Sequence, residues 1–552
     1  MNVIYYVLKI MVPKAKAFEE ATKDPLKAQE KALLEYVKRN QETEYGQKYN
    51  FTDIKSIQDY QGTVPLNDYE SLESSIEKMK TGETNVLTVD KPVLFGTTSG
   101  TTGKQKFIPV TPYSRVKKSD VMDLWVYYIS RDHPEIFDGK ILAIVSPEVE
   151  GYTDSGVPFG AESGHGYKNM PGVVKALYVL PYEVLEIKDY DSKYYCILRL
   201  AMEENITTIA TMNPSTVVLL CQKINEMKDD LIKDIDNGAL KGDLNISDDL
   251  RRMLEKRFKP KPERAAELRL ILRDEDELLP KDLWPNMQLV ECWKGGTVGV
   301  YLQEFPKYFG DVPIRDFGYL ASELRGSIPL SDVDAGGVLA INSNFYEFIP
   351  KEDMGKKVKR VLLCDQIQEG EEYFIIATTP GGLYRYNIDD IIRVTGFYNK
   401  TPVIEFVQKG LNVSSVTGEK LYESQVVEAV HKAVANFRTP INFFTACVQS
   451  GKTYCYQFLV EFTDNPPPDQ KEEFIKFVDR ELCRINCEYD SKRRSQRLCH
   501  PVLKIVKNGE FEKYRKKKVE EGTHDGQFKI CELTCDIDFH EHFDIEEHIS
   551  VE

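Results

Sequence analysis

The sequence predicts an α/β protein in two parts, a large α/β domain over residues 1–410 and a small α+β domain over 411–552. Three observations predict this. Strand-like apolar runs alternate with helical periods through the larger part, the pattern of an α/β architecture with mostly parallel pairing. The order of elements changes near residue 410. The length of 552 residues also exceeds what one domain usually holds, at ~100–200 residues each.

The elements follow in chain order. The start, MNVIYYVLKIMVPKAK, is apolar but broken by Lys9. It lacks an initial basic region and a small-residue cleavage site, so it reads as a packed N-terminal helix rather than a signal peptide. A membrane or partner contact is the alternative. Residues 25–39 put Leu26, Leu33, Leu34 and Val37 on one helical stripe behind Pro25. Strand-like runs follow at 141–146, 206–212, 287–292, 337–342 and 373–379, with helices expected over 113–130, 188–204 and 213–235. The stretch 237–286 is charged and helical and is expected to project from the core. Residues 151–172 read as a long glycine-rich loop of the kind that often serves function.

Past the approximate hinge Lys409-Gly410 the order is strand 412–417, helix 422–437, strands 441–448 and 453–462, helix 469–486, strand 501–506 and helix 508–520. That β-α-β-β-α-β succession is ferredoxin-like, with one helix added. A cleft between a large and a small domain is a favoured place for a ligand.

Composition narrows the function. Hydrophobic residues make up 41% and aromatics 11%, which excludes a disordered chain. The 72 basic and 88 acidic residues give a net charge of −16, which argues against a dedicated nucleic-acid binder. Eight of the acids lie in residues 530–552, which hold no lysine or arginine. No run reaches the ~18–20 apolar residues of a membrane span. The 11 cysteines are odd in number and scattered, which fits reduced thiols in the cytoplasm.

The strongest chemical signal is FGTTSGTTGKQKFIPVT, 95–111. Thr97, Thr98, Ser99, Thr101 and Thr102 crowd around Gly100 and Gly103, with Lys104 and Lys106 behind them. Glycines let backbone N–H groups approach an anion, and hydroxyls add donors, so the segment reads as a phosphate cradle. The spacing is not that of a Walker A loop.

Here the sequence resembles the adenylate-forming enzymes, and more closely the GH3 family of acyl acid–amido synthetases. The resemblance rests on four motifs in order: Thr98-Ser99-Gly100-Thr101-Thr102-Gly103; Tyr319-Leu320-Ala321-Ser322-Glu323; Tyr384-Arg385-Tyr386-Asn387-Ile388-Asp389-Asp390-Ile391-Ile392; and Gly526-Gln527-Phe528-Lys529. The chain departs from the plant pattern at Ala321, at Asn387-Ile388-Asp389, and at Ile530-Cys531 after the terminal lysine.

The resemblance implies an adenylate-forming large domain that uses ATP and Mg²⁺. It implies two half-reactions on small-molecule partners, a carboxylic acid and an amino acid. The acid attacks the α-phosphorus of ATP and releases pyrophosphate; an amine then takes the acyl group and releases AMP. The same likeness implies site residues: the 98–103 loop on the phosphates, Tyr319 and Ser322 shaping the nucleotide site, Glu323 toward Mg²⁺, and Asp390 on the ribose hydroxyls. Asp389 is the rival for the last role. Lys529 is implied at the α-phosphate, carried by a mobile domain, and Lys420 as a second nucleotide contact. A thiol acceptor such as coenzyme A, or a catalytically silent nucleotide-binding protein, are the alternative functions.

Weaker signals remain. His165 is expected to be structural, with contact to the acyl carboxylate as the alternative. Trp293, in Trp293-Lys294-Gly295-Gly296-Thr297, is equally a core residue or a ligand neighbour. The Cys483/Cys487 and Cys531/Cys535 pairs have spacing that zinc tolerates but read as ordinary thiols. The basic stretch 492–518 reads as a solvated face.

Overall fold

The computed structural model describes residues 3–98, 106–295, 301–354, 356, 358–410, 413–414, 421–449, 454–494, 498–521, 529–534 and 536–550. The chain forms two compact units, Met1–Phe406 and Val407–Glu552.

Among its described residues the first unit holds three sheets. Strands Lys140–Ala143, Ile206–Ala210, Leu289–Glu291 and Ile314–Arg315 lie side by side in that order, all parallel. The helices Tyr190–Ala201 and Pro214–Asn237 flank the second of these strands in the chain. Such crossover helices are what parallel pairing requires.

A six-stranded sheet runs in the order Phe345–Pro350, Glu372–Thr378, Tyr386–Tyr398, Thr401–Lys409, Gly337–Leu339 and Ser327–Ile328. Its registered pairs are antiparallel. The expected mostly parallel pairing therefore holds for one sheet only. Past residue 327 the strands follow one another without a crossover helix, so they pair as antiparallel neighbours. The third sheet is mixed, with Leu94–Thr98 antiparallel to Lys106–Val110 and parallel to Pro158–Gly160.

Two apolar cores support these sheets. One gathers Leu33, Val37, Tyr60, Leu72 and Ile76 from the N-terminal helices against Phe345, Ile375 and Ile392 of the antiparallel sheet. The helix Pro25–Arg39 begins where the sequence places it, capped by Asp24, whose carboxylate accepts from the Lys27 amide. The first helix, Val3–Ala21, buries Ala15 and Phe18, and Lys14 reaches Asp120 and Asp123 at 2.6 Å. Among the described residues no helix is long and apolar enough to cross a membrane.

The second core lies beside the parallel sheet. The region 237–286 does not project from it. Leu250, Leu254, Phe258, Ala265, Leu268 and Trp284 are buried there, and the helices Asp248–Arg257 and Pro262–Glu275 show their charges to solvent. The apolar stripe, narrow among so many charges, decides their placement.

The second unit has a five-stranded sheet in the order Leu533–Thr534, Ile441–Gln449, Cys455–Phe462, Val502–Val506 and Ile545–Ser550. The helices Glu423–Phe437 and Pro468–Ile485 bury Val426, Val430, Phe474 and Val478 in its core. The α+β alternation holds, but the expected first strand does not enter this sheet. Val413–Ser414 pairs instead with Leu421–Tyr422 in a separate two-stranded ribbon. The acidic end of the chain supplies an edge strand and two phenylalanines, Phe539 and Phe543, that pack with Phe511 and Tyr514.

Candidate active site

The hydroxyl- and glycine-rich segment joins two paired strands. Thr98 faces Lys106 across the ladder, the last described pair before the segment 99–105. Ser99, Gly100, Thr101, Thr102, Gly103 and Lys104 lie outside the described residues, as do Gly296, Thr297, Lys420, Cys535 and the segment 526–528. The strand beneath the loop is well anchored. Thr97 donates its hydroxyl to Glu150 at 2.5 Å, and the Phe107 amide donates to the Tyr69 hydroxyl at 3.0 Å.

Gly96, on the same strand, brings it against the second motif. A Cβ there would lie 3.9 Å from Cβ of Ser322. The second motif is itself a tight hairpin. Gly326 donates its amide to the Tyr319 carbonyl, while Ala321 and Leu324 exchange both backbone bonds at 2.9 and 3.2 Å. Ser322 and Glu323 therefore occupy the corner of a two-residue turn. Glu323 is 8% exposed, and the Ser322 carbonyl accepts from Lys118 Nζ at 2.9 Å.

The third motif is held by bonds that its sequence does not advertise. Arg385 has left-handed backbone at φ 44° and is buried. Its guanidinium grips Glu347 with two bonds of 2.9 Å and donates to the carbonyls of Gln61 and Val64. The Tyr384 hydroxyl donates to the Leu87 carbonyl at 2.7 Å. Asn67 clamps the same segment, taking the Asn387 amide on its carbonyl and giving its side-chain amide to the Tyr384 carbonyl.

Just beyond, the strand bulges. Phe374 faces Ile391 and Ile376 faces Asn387, so Ile388, Asp389 and Asp390 stand opposite Ile375 alone. Asp389 takes up the excess with a left-handed φ of 64°. This turns Asp390 inward, to 3% exposure, and leaves Asp389 half-buried. The bulge thus separates the two adjacent carboxylates that the sequence could not rank by environment.

Asp390 meets the second motif directly, since its Oδ2 accepts from the Tyr319 hydroxyl at 2.7 Å. Burial first, then the charge of Asp390, hold the Tyr319 phenol far above its usual range, so it stays a donor. The Tyr386 phenol is pushed up in the same way by burial and by Glu323 and Asp390. Two acids from separate motifs thus share one pair of buried tyrosines beside the strand that leads into the hydroxyl-rich loop.

Other candidates are placed elsewhere. His165 engages the Glu148 carboxylate through Nδ1, and Lys168 joins it at 3.1 Å, so the ring serves a local ion-pair cluster. Trp293 donates its indole N–H to the Gly318 carbonyl at 3.3 Å, one residue before Tyr319. Lys529 belongs to the second unit and is exposed.

Sequence reading missed three groups. Glu347 holds Arg385; Lys118 holds the Ser322 carbonyl and Glu162; and Glu291 and Arg315 stand opposite each other on neighbouring parallel strands. A charged residue inside an apolar strand, as in Leu-Val-Glu at 289–291, is the one signal that was available.

Comparison with known proteins gives a consistent answer along the chain. The descriptions "GH3 family N-terminal domain", "GH3 family central domain" and "GH3 family C-terminal domain" match residues 14–314, 337–409 and 424–536. An indole-3-acetic acid-amido synthetase of Arabidopsis thaliana is 24% identical over 538 residues, with 93% of this chain and 90% of the relative covered. A jasmonoyl–L-amino acid synthetase of Nicotiana attenuata is 26% identical over 540 residues, with 93% and 91% covered. Among solved structures, a GH3.15 acyl acid amido synthetase superposes with a TM-score of 0.86 at 22% identity, covering 97% of this chain and 96% of the other. A 2-hydroxyisobutyryl-CoA ligase shares the fold more distantly, at a TM-score of 0.54 and 10% identity, with 94% and 92% covered. With three consecutive domains matched, the chain belongs to the GH3 family.

Proposed function

We propose that this protein is an ATP-dependent, AMP-forming acyl acid–amido synthetase that joins a small carboxylic acid to an amino acid. The observation that carries the reading is the Tyr319–Asp390 bond, which locks the second and third family motifs together beside the strand feeding the hydroxyl-rich loop. Relatives over the same span are named as amido synthetases.

Each residue then has a task. The backbone and hydroxyls of Thr98, Ser99, Gly100, Thr101, Thr102 and Gly103 hold the ATP phosphates. Asp390 accepts from the ribose hydroxyls, and Tyr319 fixes its rotamer. Tyr319 and Ser322 wall the nucleotide site. Glu323 would hold Mg²⁺, which supplies charge neutralisation of the phosphates when bound. The fit is chemical: a buried carboxylate at a turn is a hard oxygen donor, and Mg²⁺ takes one or two such ligands, the rest coming from water and phosphate. Lys529 places its ammonium on the α-phosphate as charge develops there, and Lys420 makes the second nucleotide contact. We place the enzyme in the cytoplasm on its scattered thiols, Cys196, Cys221, Cys292 and Cys447 being free and buried.

The test uses purified protein with ATP, Mg²⁺ and mixed pools of acids and amino acids. Acid-dependent pyrophosphate release with an amide product supports the reading. A thioester formed with coenzyme A would move the protein to the thiol-acceptor class. Nucleotide binding without acid-dependent pyrophosphate exchange would make it a silent binder.

A further inference from the structure

Beside the turn that carries Glu323 lies a cluster of charges that the tasks above do not use. Arg115, Lys118 and Met122 follow one another at three- and four-residue spacing along the helix Pro112–Asp132, so they share a face. Lys118 is buried and donates to Glu162 at 2.6 Å and to the Ser322 carbonyl at 2.9 Å. Arg325, two residues past Glu323, completes the group.

Burial raises the Glu162 pKa, but Lys118 and Arg325 more than offset this, so its carboxyl sits below the usual range and carries charge. One carboxylate thus stands among Lys118, Arg325 and Arg115, and the cluster keeps surplus positive charge.

Arg325 is the unspent member. Its backbone carbonyl accepts from the Asn344 side-chain amide at 3.3 Å, but the only hydrogen-bond contact of its guanidinium among the described residues is Nη1 to the Met122 sulfur at 3.5 Å. It makes no ion pair within 4.0 Å there; the partner of Glu162 is Lys118. The side chain lies deep enough that burial depresses its pKa, yet it is only half-buried. A guanidinium withdrawn from bulk water with a thioether as its acceptor is poorly satisfied, and its planar fork matches a carboxylate.

We propose that Arg325 is a specificity residue that binds a spectator carboxylate, one other than the carboxylate being activated. This rests on the synthetase reading, because Lys118 ties the cluster to Ser322, inside the proposed nucleotide site. Two sources share the chemistry: a second carboxylate on the acyl acid, or the carboxylate of the amino acid acceptor. A pocket for a plain hydrocarbon or aromatic acid has no use for a half-satisfied guanidinium.

The experiment is calorimetric binding to the full chain in the presence of AMP, comparing wild type with Arg325→Met and Glu162→Gln. Adipate against caproate and isophthalate against benzoate probe the acyl source. Glutamate and alanine against their decarboxylated amines probe the acceptor. The expected result is that one class loses about 10–100-fold in affinity in Arg325→Met, with its carboxylate-free counterpart unmoved. Glu162→Gln, which removes the competing charge and keeps an acceptor for Lys118, should tighten the same class. A merely structural arginine would not yield that gain. Equal binding of every pair by wild type, or a carboxylate preference that survives Arg325→Met, overturns the proposal. Acid-dependent pyrophosphate release by the wild type, scored separately, shows whether the synthetase reading has failed instead.

Discussion

The Tyr319 hydroxyl donates to Asp390 Oδ2 at 2.7 Å, and both residues are buried. This bond joins two motifs that are far apart in the chain and fixes the orientation of the acid proposed to receive the ribose. It separates two effects that are easily confused, namely loss of the acid and loss of its orientation.

Asp390→Asn keeps the shape but removes the charge that two ribose hydroxyls would share. ATP affinity should fall by about tenfold or more, while the melting temperature changes little, because the amide oxygen still accepts from Tyr319. Tyr319→Phe leaves the carboxylate but strips a buried donor from it, at about 1–3 kcal/mol of stability. Calorimetric ATP titration and thermal melts of both variants check this. If Asp389→Asn weakens ATP instead, the bulge has been assigned to the wrong acid.

Glu323→Gln should raise the Mg²⁺ concentration needed for half-maximal pyrophosphate release and leave nucleotide affinity without metal nearly unchanged. The amide keeps a neutral oxygen where a hard anionic ligand is required. A Mg²⁺ titration at saturating ATP reads the effect, and an unaltered curve would take Glu323 out of the metal's coordination.

The parts legible in the sequence are those set by local periodicity and by motif order. The helix Pro25–Arg39 and the alternation of elements follow from apolar spacing. Strand direction in the larger sheet is not legible from alternation alone, because it is set by the missing crossover helices past residue 327. The burial of the helices over 248–275 is masked in the sequence because charge outnumbers their stripe of Leu250, Leu254, Ala265 and Leu268. In the site, the motifs name Tyr319, Glu323 and Asp390. Nothing local announces that Arg385 and Asp389, neither of them glycine, adopt left-handed backbone. Those conformations are imposed by distant partners, Glu347 for one and the opposing strand at Ile375 for the other.

Lys529→Ala should sharply slow adenylate formation in a single turnover and leave ATP binding largely intact, since its proposed contact matters most as charge develops on the α-phosphate. The same variant given a preformed acyl adenylate should transfer it to the amine with a smaller loss. Unchanged single-turnover adenylation would remove Lys529 from the mechanism.

Glu291 gives a prediction that needs no substrate. It lies on a central parallel strand opposite Arg315 and is buried. Burial outweighs the attraction of Arg315 and pushes its carboxyl up from 4.5 to about 8. A carboxyl whose pKa is raised on folding favours the folded state below its unfolded pKa. That contribution is lost as the pH climbs through the folded value. Wild-type stability should therefore fall between about pH 4.5 and 8, each unit of displacement being worth about 1.4 kcal/mol at most. Glu291→Gln holds the neutral shape at every pH. Its melting temperature should match the wild type near pH 4.5 and exceed it increasingly toward pH 9. The buried Asp316, pushed up to about 6, stays in both proteins and cancels in the comparison. A constant offset between the two melting curves across that range would mean that Glu291 is already ionised in the fold and that Arg315 holds it so.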